Sequence, residues 1–237
     1  MPSRPDPLRE TSRAPSRRVG RPAGPTVQGA ASRDRIIAAA AAVFARLGYD
    51  RARMADIIDA SGMSKGSVYF HFDSKEALAV AVLEDRHGRW IADVERALAK
   101  APKGEPRIRE LLPAMLDLHR RNPDAWVVSR LTQNLADVGS TRPLAASMTQ
   151  KWIDMVADLI REAAPEPRQD SPVDATTLAT VLVAAFDGLK LTSDTVSSGD
   201  KVAAGRRLVE AGKVLEQMLF HEIGLRPSEP NDTSPGS

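Results

Sequence analysis

The chain has 237 residues, with 33 Lys and Arg against 31 Asp and Glu, 42% hydrophobic but only 4% aromatic residues, and no cysteine. That length is enough for a buried core in one domain or two, and the lack of cysteine excludes disulfides and thiolate metal sites and fits a reducing cytoplasm. No apolar stretch approaches the roughly 20 residues of a membrane span, and the polar, basic residues 1–25 lack the apolar segment of a secretory signal.

The small net charge of +2 hides an asymmetry. Residues 1–75 hold 13 Lys and Arg against 7 Asp and Glu, so the first third is basic and the remainder acidic. A polyanion facing one end of the molecule is the simplest partner for that distribution. Residues 1–28 are rich in Pro, Arg, Ser and Gly without hydrophobic period, which predicts disorder in the free chain. Their six arginines read either as a solvated tail or as an arm along phosphates, with the 17–22 stretch (Arg17, Arg18, Val19, Gly20, Arg21, Pro22) suited to a minor groove.

The first helix is predicted from an N-cap at Ser32 through Ile36, Ile37, Ala40, Val43, Phe44 and Leu47, and Gly48 ends it. A short second helix covers about 54–60 and buries Met54, Ile57 and Ile58. A turn at Ser61, Gly62 and Met63 leads to a third helix that starts after Ser64 and carries Lys65 to about Tyr69. Ser74 caps a long fourth helix lined by Leu78, Val82, Leu83, Trp90, Ile91, Val94 and Leu98, with a bend expected near Gly88. Pro106 and Pro113 bracket the next helix start. Asn122 and Pro123 open another helix, and Leu144, Met148, Trp152, Met155, Leu159 and Ile160 form a stripe. A helix restarting at Ser171 and Pro172 carries Leu178 to Leu189, and a last helix runs through Leu208, Gly212, Leu215 and Leu219. The expected fold is all-α, about nine helices without a strand.

Two short helices across a Ser-Gly-Met turn, braced by an amphipathic helix, form a helix-turn-helix. Gly62 sits where the turn wants a residue without a Cβ. Ser64 can cap the third helix and leave its first amides facing phosphate or base edges. Lys65 adds a charge, Gly66 permits close approach, and Ser67 and Val68 are short enough to read a groove floor, Val68 through a thymine methyl. Tyr69 and His71 offer polar tips for phosphates, as does Lys75 in the first turn of the next helix. Phe44, Phe70 and Phe72 are read as packing residues.

The run from Met54 through Ser61, Gly62, Met63, Ser64, Lys65, Gly66, Ser67, Val68, Tyr69, Phe70, His71 and Phe72 to Ser74, Lys75, Glu76, Ala77 and Leu78 resembles the signature of TetR-family regulators over about residues 32–80. The resemblance implies a dimer on double-stranded operator DNA, with Lys65 and Gly66 opening the recognition helix and Tyr69, His71 and Lys75 on the backbone. Arg53 departs from it, standing where the family usually has a capping Ser or Thr. The lost cap costs about 1 kcal/mol, and a guanidinium there can instead grip phosphate.

Further along, Leu83 to Trp90 and Arg142, Pro143, Leu144 followed by Trp152 look similar to the γ-butyrolactone and butenolide/furan autoregulator receptors. That resemblance implies an effector cavity bordered by Trp152, with His87 as a hydrogen-bonding group. Trp126, Met155 and Phe186 are further candidate walls, and Thr132 and Gln133 candidate donors, for a small apolar ligand with a few polar contacts. His87 stands where those receptors often have tyrosine, which leaves an antibiotic, a drug or a fatty compound open as the effector. The last two helices, roughly 172–191 and 200–222, are expected to pair with a second copy, with Gly205 and Gly212 permitting close approach.

The expected organisation is therefore a basic arm over 1–28, a helix-turn-helix domain over 29–76, a ligand-binding and dimerisation domain over 77–224 and a tail over 225–237. The four histidines (His71, His87, His119, His221) show no metal spacing, and no nucleophile motif or phosphate loop appears. An enzyme is not expected, nor a cofactor, a metal or a membrane partner. A ligand-blind DNA binder remains the rival reading.

Overall fold

The computed structural model describes residues 27–121, 125–164 and 173–226, with the side chains of residues 125 and 126 excepted. The expected tail (save Leu225 and Arg226), nearly all of the basic arm, and the helix starts at Asn122–Pro123 and Ser171–Pro172 lie outside them. The described residues form ten helical segments and no strand: α1 (Val27–Leu47), α2 (Met54–Ser61), α3 (Lys65–His71), α4 (Lys75–Leu98), α5 (Glu105–Arg109), α6 (Leu111–Arg121), α7 (Ala125–Ala136), α8 (Arg142–Ala163), α9 (Ala175–Val196) and α10 (Lys201–Glu222). The count exceeds nine because one expected helix is split at Glu110 into α5 and α6. Pro113 is the third residue of α6, where its missing N–H interrupts no hydrogen bond.

Helix boundaries follow local chemistry. Gly48, at φ +76°, closes α1 by returning its N–H to the Phe44 carbonyl at 2.9 Å. The start of α1 differs from expectation: Ser32 lies inside the helix, its hydroxyl donating to the Gln28 carbonyl at 2.9 Å instead of capping. Asp174 and Asp200 cap α9 and α10, each accepting two backbone N–H groups. Gly88 leaves no break in α4, which is helical throughout its 24 residues.

Two buried clusters hold the molecule together. The first packs Ile36, Ile37, Val43 and Phe44 of α1, Ile57 of α2, Val68 of α3 and Leu78, Val82 and Leu83 of α4 against Val127, Leu131 and Leu135 of α7 and Met148 of α8. The second joins Val94 and Leu98 of α4 to α5, α6, Trp152 and Val156 of α8, Leu182 and Phe186 of α9, and Leu219 and Phe220 of α10. The first cluster runs across position 76, so the first three helices share their core with α4 and α7. α4 carries its N-terminal half in one cluster and its C-terminal half in the other. That makes it the rigid element between the two halves.

Candidate nucleic-acid interface and ligand site

The turn between α2 and α3 is stitched from both sides. Gly62 adopts φ +62° and donates its N–H to the Asp59 carbonyl. The buried Ser61 hydroxyl donates to the Ile58 carbonyl at 2.9 Å and accepts from the Met63 N–H at 3.2 Å. Arg35 of α1 reaches the Ser61 carbonyl at 3.2 Å, tying the turn to the first helix. Ser64 caps α3 as expected, accepting from the Ser67 N–H at 3.2 Å.

With α3 so fixed, Ser64, Lys65, Gly66, Tyr69 and Phe70 are exposed, Ser67 and His71 half-buried, and Val68 and Phe72 buried. Two expectations are corrected here. Val68 has no exposed surface and packs in the first cluster, so it cannot touch a groove floor. Phe70 is 75% exposed and is not a packing residue. The reason is periodicity: residues two apart on an α-helix point roughly 200° apart, so with Val68 turned into the core Phe70 faces out. Sequence reasoning missed Phe70 for want of that step. An exposed phenyl beside Lys65, Gly66 and Tyr69 suits a thymine methyl or a sugar. His71 lies between the Phe70 and Phe72 rings, with centroids at 5.2 and 6.5 Å.

Lys75 opens α4, but its ammonium already donates to the Tyr49 carbonyl at 2.9 Å and the Asp50 carbonyl at 3.3 Å, and lies 4.4 Å from the Tyr49 ring centroid. Its first role is to brace the α1–α2 loop, leaving one donor for a phosphate. Arg53 is exposed, and the missing hydroxyl cap is partly replaced by Asp56, whose carboxylate accepts the Arg53 N–H at 2.8 Å.

The expected ligand set is not gathered into one cavity. Trp152 and Phe186 are buried in the second cluster, with Met155 partly buried against it. His87 is half-buried and hydrogen-bonded to the Met148 backbone, and burial lowers its pKa below the ordinary histidine value. Thr132 and Gln133 lie elsewhere, on an open groove of about 380 Å³ between α7 and α8 that also takes in Ala136, Arg142, Ala145 and Thr149. The Thr132 hydroxyl donates to the Val128 carbonyl at 2.8 Å. The side chain of Trp126 lies outside the described residues. The split follows from position along α8: Arg142, Ala145 and Thr149, nearer its start, border the groove with α7, whereas Trp152 and Val156, further along, enter the second cluster.

The structure brings two residues that the sequence reading left outside the ligand set against Trp152 and Phe186. Trp90 meets Trp152 edge-to-face, with centroids 4.3 Å apart and planes at 71°, and His119 lies 6.2 Å from Trp90 and 5.2 Å from Phe186. Burial pushes His119 down to about 4, so its imidazole is neutral at physiological pH, and Nδ1 lies 2.6 Å from the Met115 carbonyl. Burial raises the Asp187 carboxyl, which is hydrogen-bonded to Ser129. Near the headpiece, the Ser140 hydroxyl in the α7–α8 turn donates to the Glu76 carboxylate at 2.7 Å. Gly212 faces Leu116 of its own chain, where an added Cβ would stand 3.4 Å from a methyl group, so its close approach serves α6 and not a second copy.

The family described as bacterial regulatory proteins, tetR family, matches residues 36–82, which are α2, α3 and the flanking parts of α1 and α4. The solved structure of full-length TylP, a TetR regulator from Streptomyces fradiae, is 30% identical, covers 81% of this chain and 86% of its own, and superposes with a TM-score of 0.54. The chain belongs to the TetR family. Among curated proteins it is similar to the A-factor receptor protein of Streptomyces griseus, 29% identical over 160 residues, a span of 67% of this chain and 54% of that receptor's length. A γ-butyrolactone receptor described as ArpA-like is 25% identical, with a TM-score of 0.56 over 81% of this chain and all of that one. These structural likenesses, each over 81% of the chain, extend beyond the headpiece into the remaining helices.

Proposed function

We propose that this TetR-family protein is a homodimeric repressor that holds a palindromic operator and is released by a small hydrophobic effector of the γ-butyrolactone type. The observation that carries the reading is the uncovered face of α3. Lys65, Gly66, Tyr69 and Phe70 stand together on a helix whose cap, turn and buried side are all satisfied within the protein. Arg53, Ser64, Ser67, His71 and the remaining donor of Lys75 complete the proposed contact surface, and Val68 supports it from beneath.

One such face buries too little to bind tightly, and two placed about one DNA turn apart read a palindrome. The partner surface is supplied by α9 and α10. Val181, Ala184, Gly188, Leu191 and Thr195 recur at intervals of three and four residues along α9, and all are exposed. Val202, Gly205 and Val209 do the same on α10. By length and composition alone α9 could cross a membrane. Its inner side nevertheless packs through Ala179, Leu182 and Phe186, and it carries Asp187, Lys190 and Asp194. A second copy covering the outer stripe as a four-helix bundle accounts for both sides.

The effector class rests on kinship with receptors whose names declare an A-factor or a γ-butyrolactone ligand. An antibiotic, drug or fatty ligand would use the same architecture. A second reading is favoured by one observation: Trp152 and Phe186 are buried in the second cluster, as core residues of a DNA binder that answers no ligand would be. Fluorescence anisotropy on the DNA upstream of the gene, with and without a butyrolactone and furan panel, separates the two. Salt-sensitive, selective binding released by one compound is expected. Selective binding that no compound releases favours the ligand-blind reading, and loss of all selectivity in a genome-wide selection refutes the DNA-binding assignment.

A further inference from the structure

The indole N–H of Trp90 is a donor with nothing to donate to. The Trp90 side chain is half-buried, but Nε1 itself is sealed from solvent and has no hydrogen-bond partner. Nearly all buried polar groups in folded proteins are paired, and leaving one unpaired costs about 1–3 kcal/mol. The surroundings offer rings rather than acceptors: Trp152 edge-to-face at 4.3 Å, then His119 at 6.2 Å, with Phe186 beyond. An N–H pointing at an aromatic face recovers only part of that cost.

The charges nearby define what can satisfy it. His119 is neutral at physiological pH, its pKa held near 4 by burial. Lys190, one turn beyond Phe186 on α9, is paired with Asp194, and Asp187 is hydrogen-bonded to Ser129. Lys190, the cation whose charge reaches His119, is thus already engaged, so a carboxylate or phosphate brought there would lose its hydration against a counter-charge shared with Asp194. An ester or ketone oxygen needs one donor and no charge.

We propose that the Trp90 indole N–H is the donor that fixes a neutral, oxygen-bearing apolar effector, of the lactone, ester or ketone class, among Trp90, Trp152, His119 and Phe186. The inference rests on the effector-released reading above and names the atom through which release is gained. It moves the polar contact from His87, which is hydrogen-bonded to the Met148 backbone, to the next turn of α4. Because the rings are in contact, the ligand enters by parting the Trp90–Trp152 pair. Trp90 lies between the stretch of α4 buried with the headpiece and the stretch buried with α6 and α8, so that displacement loads the helix that carries the headpiece.

The test uses the full-length protein labelled with indole-¹⁵N tryptophan, whose three indole N–H signals are assigned with Trp90→Phe. The probes are γ-dodecalactone and its ring-opened anion, 4-hydroxydodecanoate, which share a carbon skeleton. The expected result is a downfield shift of the Trp90 signal and altered near-UV circular dichroism with the lactone only, and a roughly tenfold weaker lactone affinity in Trp90→Phe, the value of one hydrogen bond. Operator anisotropy with the same lactone runs alongside. Lactone release of the operator with the Trp90 signal unmoved, or with Trp90→Phe binding as tightly as wild type, overturns this inference and spares the effector-released repressor. Equal binding of the anion overturns the neutral class. A wild type that neither binds the lactone nor leaves its operator overturns the inference together with the butyrolactone assignment.

Discussion

Replacing Val181 with glutamate is expected to convert the protein to a monomer and remove operator binding with it. Val181 is 57% exposed in the middle of α9, at the head of the stripe through Ala184, Gly188, Leu191 and Thr195. Full burial of a valine side chain contributes about 1.5–3 kcal/mol, so covering the remaining surface is worth about 1 kcal/mol per protomer and about 2 kcal/mol across a twofold interface. Glutamate forfeits that gain and adds two carboxylates to an apolar seam, where desolvation costs several kcal/mol more unless they are protonated or paired. A net loss of at least about 3 kcal/mol raises the dimer dissociation constant by roughly a hundredfold or more. Sedimentation velocity across a concentration series measures that constant, and far-ultraviolet circular dichroism checks that each chain stays helical. Operator affinity should fall in step with the dimer fraction, because each headpiece reads half a palindrome. An unchanged dimerisation constant would remove α9 from the interface. A dimer lost with operator affinity intact would refute the two-headpiece argument.

Phe70→Ala should weaken operator binding about tenfold with little change in melting temperature, whereas Val68→Ala should lower the melting temperature by several degrees by opening a small cavity between α3 and α1; calorimetry and anisotropy on both variants test the reversed roles of these two residues. His119 titrates near 4 in the folded chain against an ordinary histidine value of 6.5, so below pH 6.5 the unfolded chain takes up a proton that the folded one refuses. Stability therefore falls as pH drops from 6.5 towards 4, by about 2 kcal/mol between pH 7 and pH 5 from this residue. His119→Phe should flatten that part of the wild-type profile, and identical profiles would show that the imidazole is not sealed. Ser140→Ala removes the hydrogen bond to Glu76 and should shift the effector concentration needed for release while the dimerisation constant stays fixed, as read by anisotropy and sedimentation.

The headpiece was largely legible because each of its demands is local. Gly62 needs a left-handed backbone, Ser64 and Ser74 cap helices within three residues, and Ile57 with Phe44 follows helical spacing, so each feature can be read in a short window. The errors were also local and avoidable: Val68 and Phe70 were assigned by residue type where helical phase decides which faces inward. The ligand set is less legible for a different reason. His87, Thr132, Gln133, Trp152 and Phe186 come from four helices whose rotation about their own axes is fixed by packing with distant segments, and no window of sequence holds that information. Ala179 and Val181 are both apolar residues on α9, yet one faces α8 or α10 and the other faces out. Composition cannot tell them apart, and only the completed bundle does.

The same packing gives the ligand proposed among α4, α6, α8 and α9 a route to the helix proposed to touch DNA. Were the headpiece a separate bead on a flexible joint, a shift of α4 would move it freely and the coupling would be small. Instead Val127, Leu131 and Leu135 of α7 lie in one cluster with Ile36, Phe44 and Val82, and Ser140 holds Glu76 at the first turn of α4. The headpiece is thus pinned at two places, along α4 and against α7 with its turn, and its orientation is a property of how those two helices lie on each other. Packed interfaces of this kind move between discrete arrangements rather than deforming smoothly. A ligand that parts Trp90 from Trp152 acts on α4 and not on α7, so it changes the relation between the two supports. In the proposed dimer, two headpieces set for successive major grooves need that relation unchanged in both protomers, so a small displacement in the core would suffice to break the match with DNA.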